Sequence, residues 1–135
     1  MRRPPEPGRR WMAQAEHNLE VARHHVESGW WSDACFMAGQ AALASLKAYL
    51  LARGRNSAPA YSIADLAREC SHTQSTFQRL VEKANILDKY YMVTRYPDAL
   101  PPPLVPFEVF TEGEAMQALD IAESIIGMAK EFMGE

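Results

Sequence analysis

Residues 31–53, WSDACFMAGQAALASLKAYLLAR, constrain the fold more than any other part of the chain. The segment has helical period, holds no proline and is apolar nearly all round. A helix of that kind has no solvent face and must lie inside other elements. Ala34, Ala38, Ala41, Ser45, Ala48 and Ala52 form one smooth face that lets a neighbour approach closely. Phe36, Leu43, Leu46, Leu50 and Leu51 supply bulk elsewhere. Gly54 ends the helix, and Arg53 suits the negative end of its dipole.

The surrounding segments supply the partners. Residues 1–8, with Pro4, Pro5, Pro7 and Gly8, read as a loose arm. From Trp11 a second amphipathic period begins: Trp11, Ala15, Leu19, Ala22 and Val26 share a stripe, and Ser28-Gly29 closes it. After a linker containing Pro59, Ser62-Ile-Ala-Asp65 matches a capping box and opens a short helix to about Cys70. Phe77, Leu80, Val81, Ala84, Leu87 and Tyr91 mark a further helix from Ser75. Prolines 97, 101, 102, 103 and 106 then exclude helix, so a long extended or polyproline-like loop is expected. Thr111-Glu-Gly-Glu114 is a second capping box, starting a helix to about Met133 with Ala115, Leu119, Ala122, Ile126 and Ala129 in its stripe. A further stripe, Ile121, Ile125, Met128 and Phe132, faces either a partner subunit or the short helix. No segment alternates as a strand does. The expected fold is all-α: an up-and-down four-helix bundle with one extra short helix, preceded by an arm at 1–9 and occupying 10–135.

The chain has 135 residues, enough for one domain. Its net charge of −3 argues against non-specific DNA binding, which needs a basic footprint. Two cysteines, Cys35 and Cys70, are too few for a disulfide scaffold and read as reduced, part-buried thiols. No apolar run approaches the roughly 18 residues that span a bilayer, and the basic start lacks an apolar signal core. A cytoplasmic location is the expectation.

Two constellations could carry chemistry. In the apolar central helix Asp33, Gln40 and Lys47 recur every seven residues, on one narrow stripe. Buried polar groups need partners, so either a structural hydrogen-bond seam or a ligand or partner groove must satisfy them. The second set is Asp88-Lys-Tyr90-Tyr91-Met-Val-Thr94-Arg95-Tyr96-Pro97-Asp98. Arginine offers a planar fork for phosphate, and tyrosines offer stacking faces for bases. Alternatively, Asp88 or Asp98 pairs with Arg95 and the tyrosines wedge the loop in place. His17, Glu20 and His24 have metal-compatible spacing, but they lie opposite the apolar stripe and read as a solvated face. No metal or cofactor is expected.

These residues also resemble a known family. Trp11, Ala15 and Asn18-Leu19, then Ala34-Cys35-Phe36, Gln40-Ala41-Ala42 and Leu46-Lys47-Ala48 with Gly54, are similar to the first two helices of the HEPN domain (higher eukaryotes and prokaryotes nucleotide-binding). LDKYYMVTRYPDA (87–99) resembles the tyrosine-rich RYPD segment of its prokaryotic single-domain branch. The resemblance implies a helical bundle, commonly homodimeric, associated with small MNT-type nucleotidyltransferases and often found in toxin–antitoxin pairs. Many members are metal-independent endoribonucleases that carry an arginine followed after four to six residues by a histidine.

This chain departs from that pattern. Arg95 is followed by Tyr96-Pro97-Asp98 and Leu100, with no histidine. Arg68 and His72 are too close, and Arg10 and His17 belong to the first helix. Met37, Gly39, Leu43 and Ala44 stand where relatives often have polar residues, and Tyr61 where they often have histidine. The expected function is therefore a non-catalytic subunit that binds a nucleotide, RNA or a nucleotidyltransferase. Arg95, Tyr96, Asp98, Tyr91, Tyr90, Lys47, Gln40 and Asp33 are its candidate ligand residues. The alternatives are an endoribonuclease toxin with a degenerate motif and a purely structural subunit.

Overall fold

The computed structural model describes residues 6–55 and 62–134. Its helices are α1 (Glu6–Glu27), α2 (Trp31–Ala52), α3 (Ile63–Ser71), α4 (Val81–Asp88), α5 (Tyr90–Val93), α6 (Pro106–Val109) and α7 (Glu112–Met133). Two 3-10 turns, Ser75–Leu80 and Pro97–Ala99, complete the set. There is no strand among the described residues. The chain forms the expected all-α bundle, with α1, α2, α7 and the α4–α5 rod as principal helices and α3 as the short addition.

α2 lies at the centre, packed against α1, α7, α3 and the α4–α5 rod. Its length and mean hydropathy of 1.3 would suffice to cross a bilayer, contrary to the expectation that no run comes close. Two-thirds of that stretch, 67%, is buried inside the bundle, which accounts for its apolarity. Ala34, Ala38, Ala41, Ser45 and Ala48 are fully buried and admit α1 closely. Gly8 shows how closely: a Cβ there would meet the Ala48 carbonyl oxygen at 3.0 Å and the Ala52 Cβ at 3.1 Å.

That contact corrects the boundary of the arm. Residues 6–9 are the start of α1, and Gly8 is buried. Pro7 is tolerated because the first turn needs no backbone N–H donor at that position. Residues 1–5 and the linker at 56–61, which includes Pro59 and Tyr61, lie outside the described residues. Met12, not Trp11, fills the inner position at this end of α1; Met12 is 1% exposed and Trp11 38%.

The predicted helix from Ser75 begins as a 3-10 turn and is interrupted at Lys89. Lys89 keeps helical angles (φ −63°, ψ −23°), so the rod continues in direction while its hydrogen bonding shifts. The proline-rich stretch is less extended than expected. The Pro97–Ala99 turn and α6 each begin on a proline, where the missing N–H costs nothing. Between them the Leu104 N–H donates to the Pro101 carbonyl at 2.9 Å, closing a turn in place of a polyproline run.

The Thr111 hydroxyl accepts from the Glu114 N–H at 3.2 Å, and the Glu114 carboxylate accepts from the Thr111 N–H at 2.9 Å, completing the predicted capping box of α7. The second stripe of α7 turns inward. Ile121 and Ile125 are buried, and Phe132 packs its ring 5.7 Å from that of Phe77. The stripe therefore packs within its own chain, but on α2 and the turn before α4, not on the short helix α3 as one reading had it.

Candidate functional site

The exit of the α4–α5 rod stands beside the first half of α2. Asp88, the last residue of α4, faces the start of α3. Its carboxylate accepts from the Ser62 hydroxyl (2.9 Å), the Ile63 N–H (2.6 Å) and the Ala64 N–H (3.1 Å). These are N-terminal donors that a helix cannot satisfy within itself. Asp88 is therefore a cap for α3 and does not pair with Arg95. The Ser62 hydroxyl accepts from the Asp65 N–H at 3.1 Å, as predicted, but the Asp65 carboxylate turns to Arg68, so the reciprocal half of the box is not made and Asp88 serves the next two N–H groups instead.

One turn further, Tyr90 and Tyr91 diverge. Tyr90 points inward, 9% exposed, edge-on to Phe110 at 5.8 Å. Burial raises its phenol above the ordinary tyrosine value, and the neighbouring Cys35 and Glu114 add to the effect. Tyr90 is a core residue and leaves the ligand set. Tyr91 points outward, 42% exposed, with its ring 5.9 Å from that of Phe36 on α2. The Arg95 guanidinium lies over the same Phe36 ring, 4.3 Å from its centroid. Among the described residues no carboxylate pairs with Arg95, so Asp98 does not quench it. Tyr96, just before the Pro97–Ala99 turn, and Asp98, within it, are exposed.

Behind this corner Gln40 lines a narrow hollow with Phe36, Leu43, Leu87, Tyr90 and Tyr91. Its free volume of about 10 Å³ is what a single water needs. The hollow is too small for a nucleotide, and of the predicted ligand residues Arg95, Tyr91 and Tyr96 are exposed at the outer surface.

The stripe on α2 is not buried as the sequence implied. Asp33 is exposed, and Gln40 and Lys47 are half-buried. No buried side-chain nitrogen or oxygen lacks a partner among the described residues. Of the three, Gln40 reaches the corner. Lys47 lies about 10.5 Å further along the helix, with its ammonium 5.0 Å from the centre of the Trp11 ring. Asp33 borders a separate hollow with Trp30 and Phe107.

Sequence reasoning missed Phe36 as the platform for Arg95 and Tyr91; its place four residues before Gln40, on the same side of α2, was the available signal. It also treated Trp11 as core, although its face meets Lys47. The arginine–histidine pairs are locally engaged: Arg68 with Asp65 at 2.7 Å, His72 with Glu69 at 3.6 Å, and Arg10 with Glu6 at 3.9 Å. His24 lies near Glu20 and Glu27 on the solvated side of α1. Among the described residues no three histidine, cysteine or acidic side chains converge as a metal site would require.

The HEPN domain model matches residues 9–132. A solved structure of TT1696 from Thermus thermophilus is 42% identical, with a TM-score of 0.86, covering 93% of this chain and 97% of that one. ST0689, an archaeal HEPN homologue, is 28% identical with a TM-score of 0.75, covering 98% and 99%. An HEPN domain protein from Thermotoga maritima is 31% identical with a TM-score of 0.71, covering 90% and 95%. Human sacsin is 30% identical over 135 aligned residues, which take in 96% of this chain but 3% of sacsin. The family model and the bundle geometry agree along nearly the whole chain, and this protein belongs to the HEPN domain family.

Proposed function

We propose that this HEPN chain is a non-catalytic cytoplasmic subunit that holds the phosphate of a nucleotide or an RNA end. It works as a pair of identical copies alongside an MNT-type nucleotidyltransferase in a toxin–antitoxin type system. The observation that carries the ligand part is Arg95: an exposed guanidinium laid on the Phe36 ring, with no carboxylate partner among the described residues. Its planar donors are oriented by the ring and open to a phosphate. Tyr91 and Tyr96, both about half exposed, stand next to it as stacking faces for a base. The nucleotidyltransferase part rests on the resemblance of residues 87–99 to the RYPD segment.

The non-catalytic reading follows from the residues after Arg95. The resemblance implies that cleavage at a ribose 2′-hydroxyl relies on a histidine four to six residues after the arginine as proton acceptor. Tyr96, Pro97, Asp98 and Leu100 place no histidine there, and His72 is engaged with Glu69.

Calorimetric titration of the full chain with ATP and with a short RNA tests the proposal. Binding to wild type that falls at least about tenfold in Arg95→Ala, a change of about 1.4 kcal/mol, is the expected result. Absence of binding in wild type overturns the ligand, and unchanged binding in Arg95→Ala overturns the site. RNA cleavage by the chain alone, without added metal, overturns the non-catalytic reading in favour of a degenerate endoribonuclease.

A further inference from the structure

Trp30 and Phe107 stand largely in solvent, 59% and 72% exposed, and they flank one hollow of about 360 Å³. Gly29 and two residues from the first turn of α2, Ser32 and Asp33, line the rest of it. The His25 ring, near the end of α1, lies 5.6 Å from that of Trp30. Asp33 is exposed, and among the described residues its carboxylate has neither an ion-pair nor a hydrogen-bond partner. The surroundings carry one sign of charge. From His24 to Leu46, and again from Tyr96 to Ala129, the chain has no lysine or arginine. α7 runs antiparallel to α1, with Lys130 beside Glu16 and Glu123 beside Arg23. The end of α1 and the starts of α2 and α7 therefore share one end of the bundle, and α6 packs on α2 there. Glu27, Asp33, Glu108 and Glu112 are all exposed on it. Arg23 is held by Glu20 and Glu123, and Arg95 lies over Phe36, so neither neutralises Asp33.

We propose that this hollow receives an arginine side chain carried on a basic segment of a partner protein. Aromatic rings attract a cation, and a carboxylate without a partner accepts the paired N–H donors of a guanidinium. Trp30, Phe107 and Asp33 bring both to one concavity. A guanidinium is flat and weakly hydrated, which suits two aromatic walls; an ammonium is compact and strongly hydrated, and leaves them wet. An anion is repelled, because Asp33 already supplies the negative charge that the first turn of α2 favours. A free amine gains little here, since the two walls stand mostly in solvent and enclose too little of a small molecule. A segment of chain brings further basic groups to Glu27, Glu108 and Glu112, and their common field steers it in. The proposal goes beyond the phosphate reading and rests on none of the residues around Arg95.

Calorimetric titration of the full chain at low salt tests it, with the end-capped peptide Gly-Arg-Gly-Arg-Gly as the probe. Wild type is expected to bind it, and to bind the lysine counterpart at least about threefold more weakly. Asp33→Asn is expected to weaken the arginine peptide at least about tenfold. Phe107→Ala is expected to weaken it about fivefold. Because Phe107 stands mostly in solvent, its truncation leaves the fold intact. Glu131→Gln removes the same charge at the far end of α7 and is expected to change binding less than about twofold. Absence of binding in wild type overturns the proposal. A loss in Glu131→Gln equal to that in Asp33→Asn also overturns it, in favour of diffuse attraction to an acidic protein. Equal binding of the lysine peptide overturns the guanidinium, and spermidine binding as tightly as the arginine peptide overturns the segment in favour of a free amine. Nucleotide binding by Arg95 is read separately in the titration above, so either reading can fail without the other.

Discussion

Cys35 and Cys70 show how far the fold changes a single side chain. Both are fully buried, and burial pushes both thiols up to about 12 from an ordinary value of 9.0. Nearby Glu114 for Cys35 and Glu69 for Cys70 add to the shift. A thiol whose folded pKa is raised keeps its proton where the unfolded chain releases it. Stability is therefore unaffected below about pH 9 and falls as pH climbs towards 12. Urea melts at pH 8 and pH 10.5 should show this fall, and Cys35→Ala with Cys70→Ala should flatten it. An equal fall in the double variant would sink the explanation. The burial of both thiols was legible from their apolar surroundings. The split between Tyr90 and Tyr91 was not, because adjacent residues in one tyrosine pair differ only in which way the rod is rotated.

At the scale of the element, helix ends carry much of the design. Thr111 and Glu114 close their box within four residues of sequence, so the motif is legible in the chain itself. α3 shows the opposite case: its main cap, Asp88, comes from 25 residues away from Ile63. No local pattern signals a cap that arrives from another helix. Removing it strands two N-terminal backbone donors and one hydroxyl in a half-buried place. Asp88→Ala is expected to cost about 2–4 kcal/mol, and Asp88→Asn less, because one acceptor oxygen remains. Urea unfolding measures the cost, and amide exchange at Ile63 and Ala64 should quicken selectively. A loss below about 0.5 kcal/mol would show that water replaces the carboxylate without penalty.

Across the whole molecule, buried apolar packing and surface ion pairs contribute very differently. Phe77 is fully enclosed, with Tyr49 at 4.6 Å and Phe132 at 5.7 Å between ring centres, and so joins α2, α7 and the turn before α4. Phe77→Ala is expected to cost about 3–5 kcal/mol, a large part of the roughly 5–15 kcal/mol typical of a domain. Arg23 ties α1 to α7 through Glu123 at 2.8 Å and also holds Glu20 at 3.1 Å. All three side chains are well exposed, so Arg23→Ala is expected to cost less than about 1 kcal/mol, and less again in salt. Denaturation of the two variants at low and high ionic strength checks the ordering, and a larger loss for Arg23 would reverse it.

Helix identity and the central place of α2 were determined by sequence alone, because period and polarity are local properties that survive whatever surrounds them. The stripe of Asp33, Gln40 and Lys47 was visible in the same way. Its exposure was not, since a residue's distance from water depends on which neighbours stop short of it. Only the tertiary structure decided that Phe36 lies under Arg95, that Tyr90 turns in while Tyr91 turns out, and that Asp88 serves α3. Each of those contacts joins segments far apart in the chain, and their meeting is set by how the helices rotate and pack around one another.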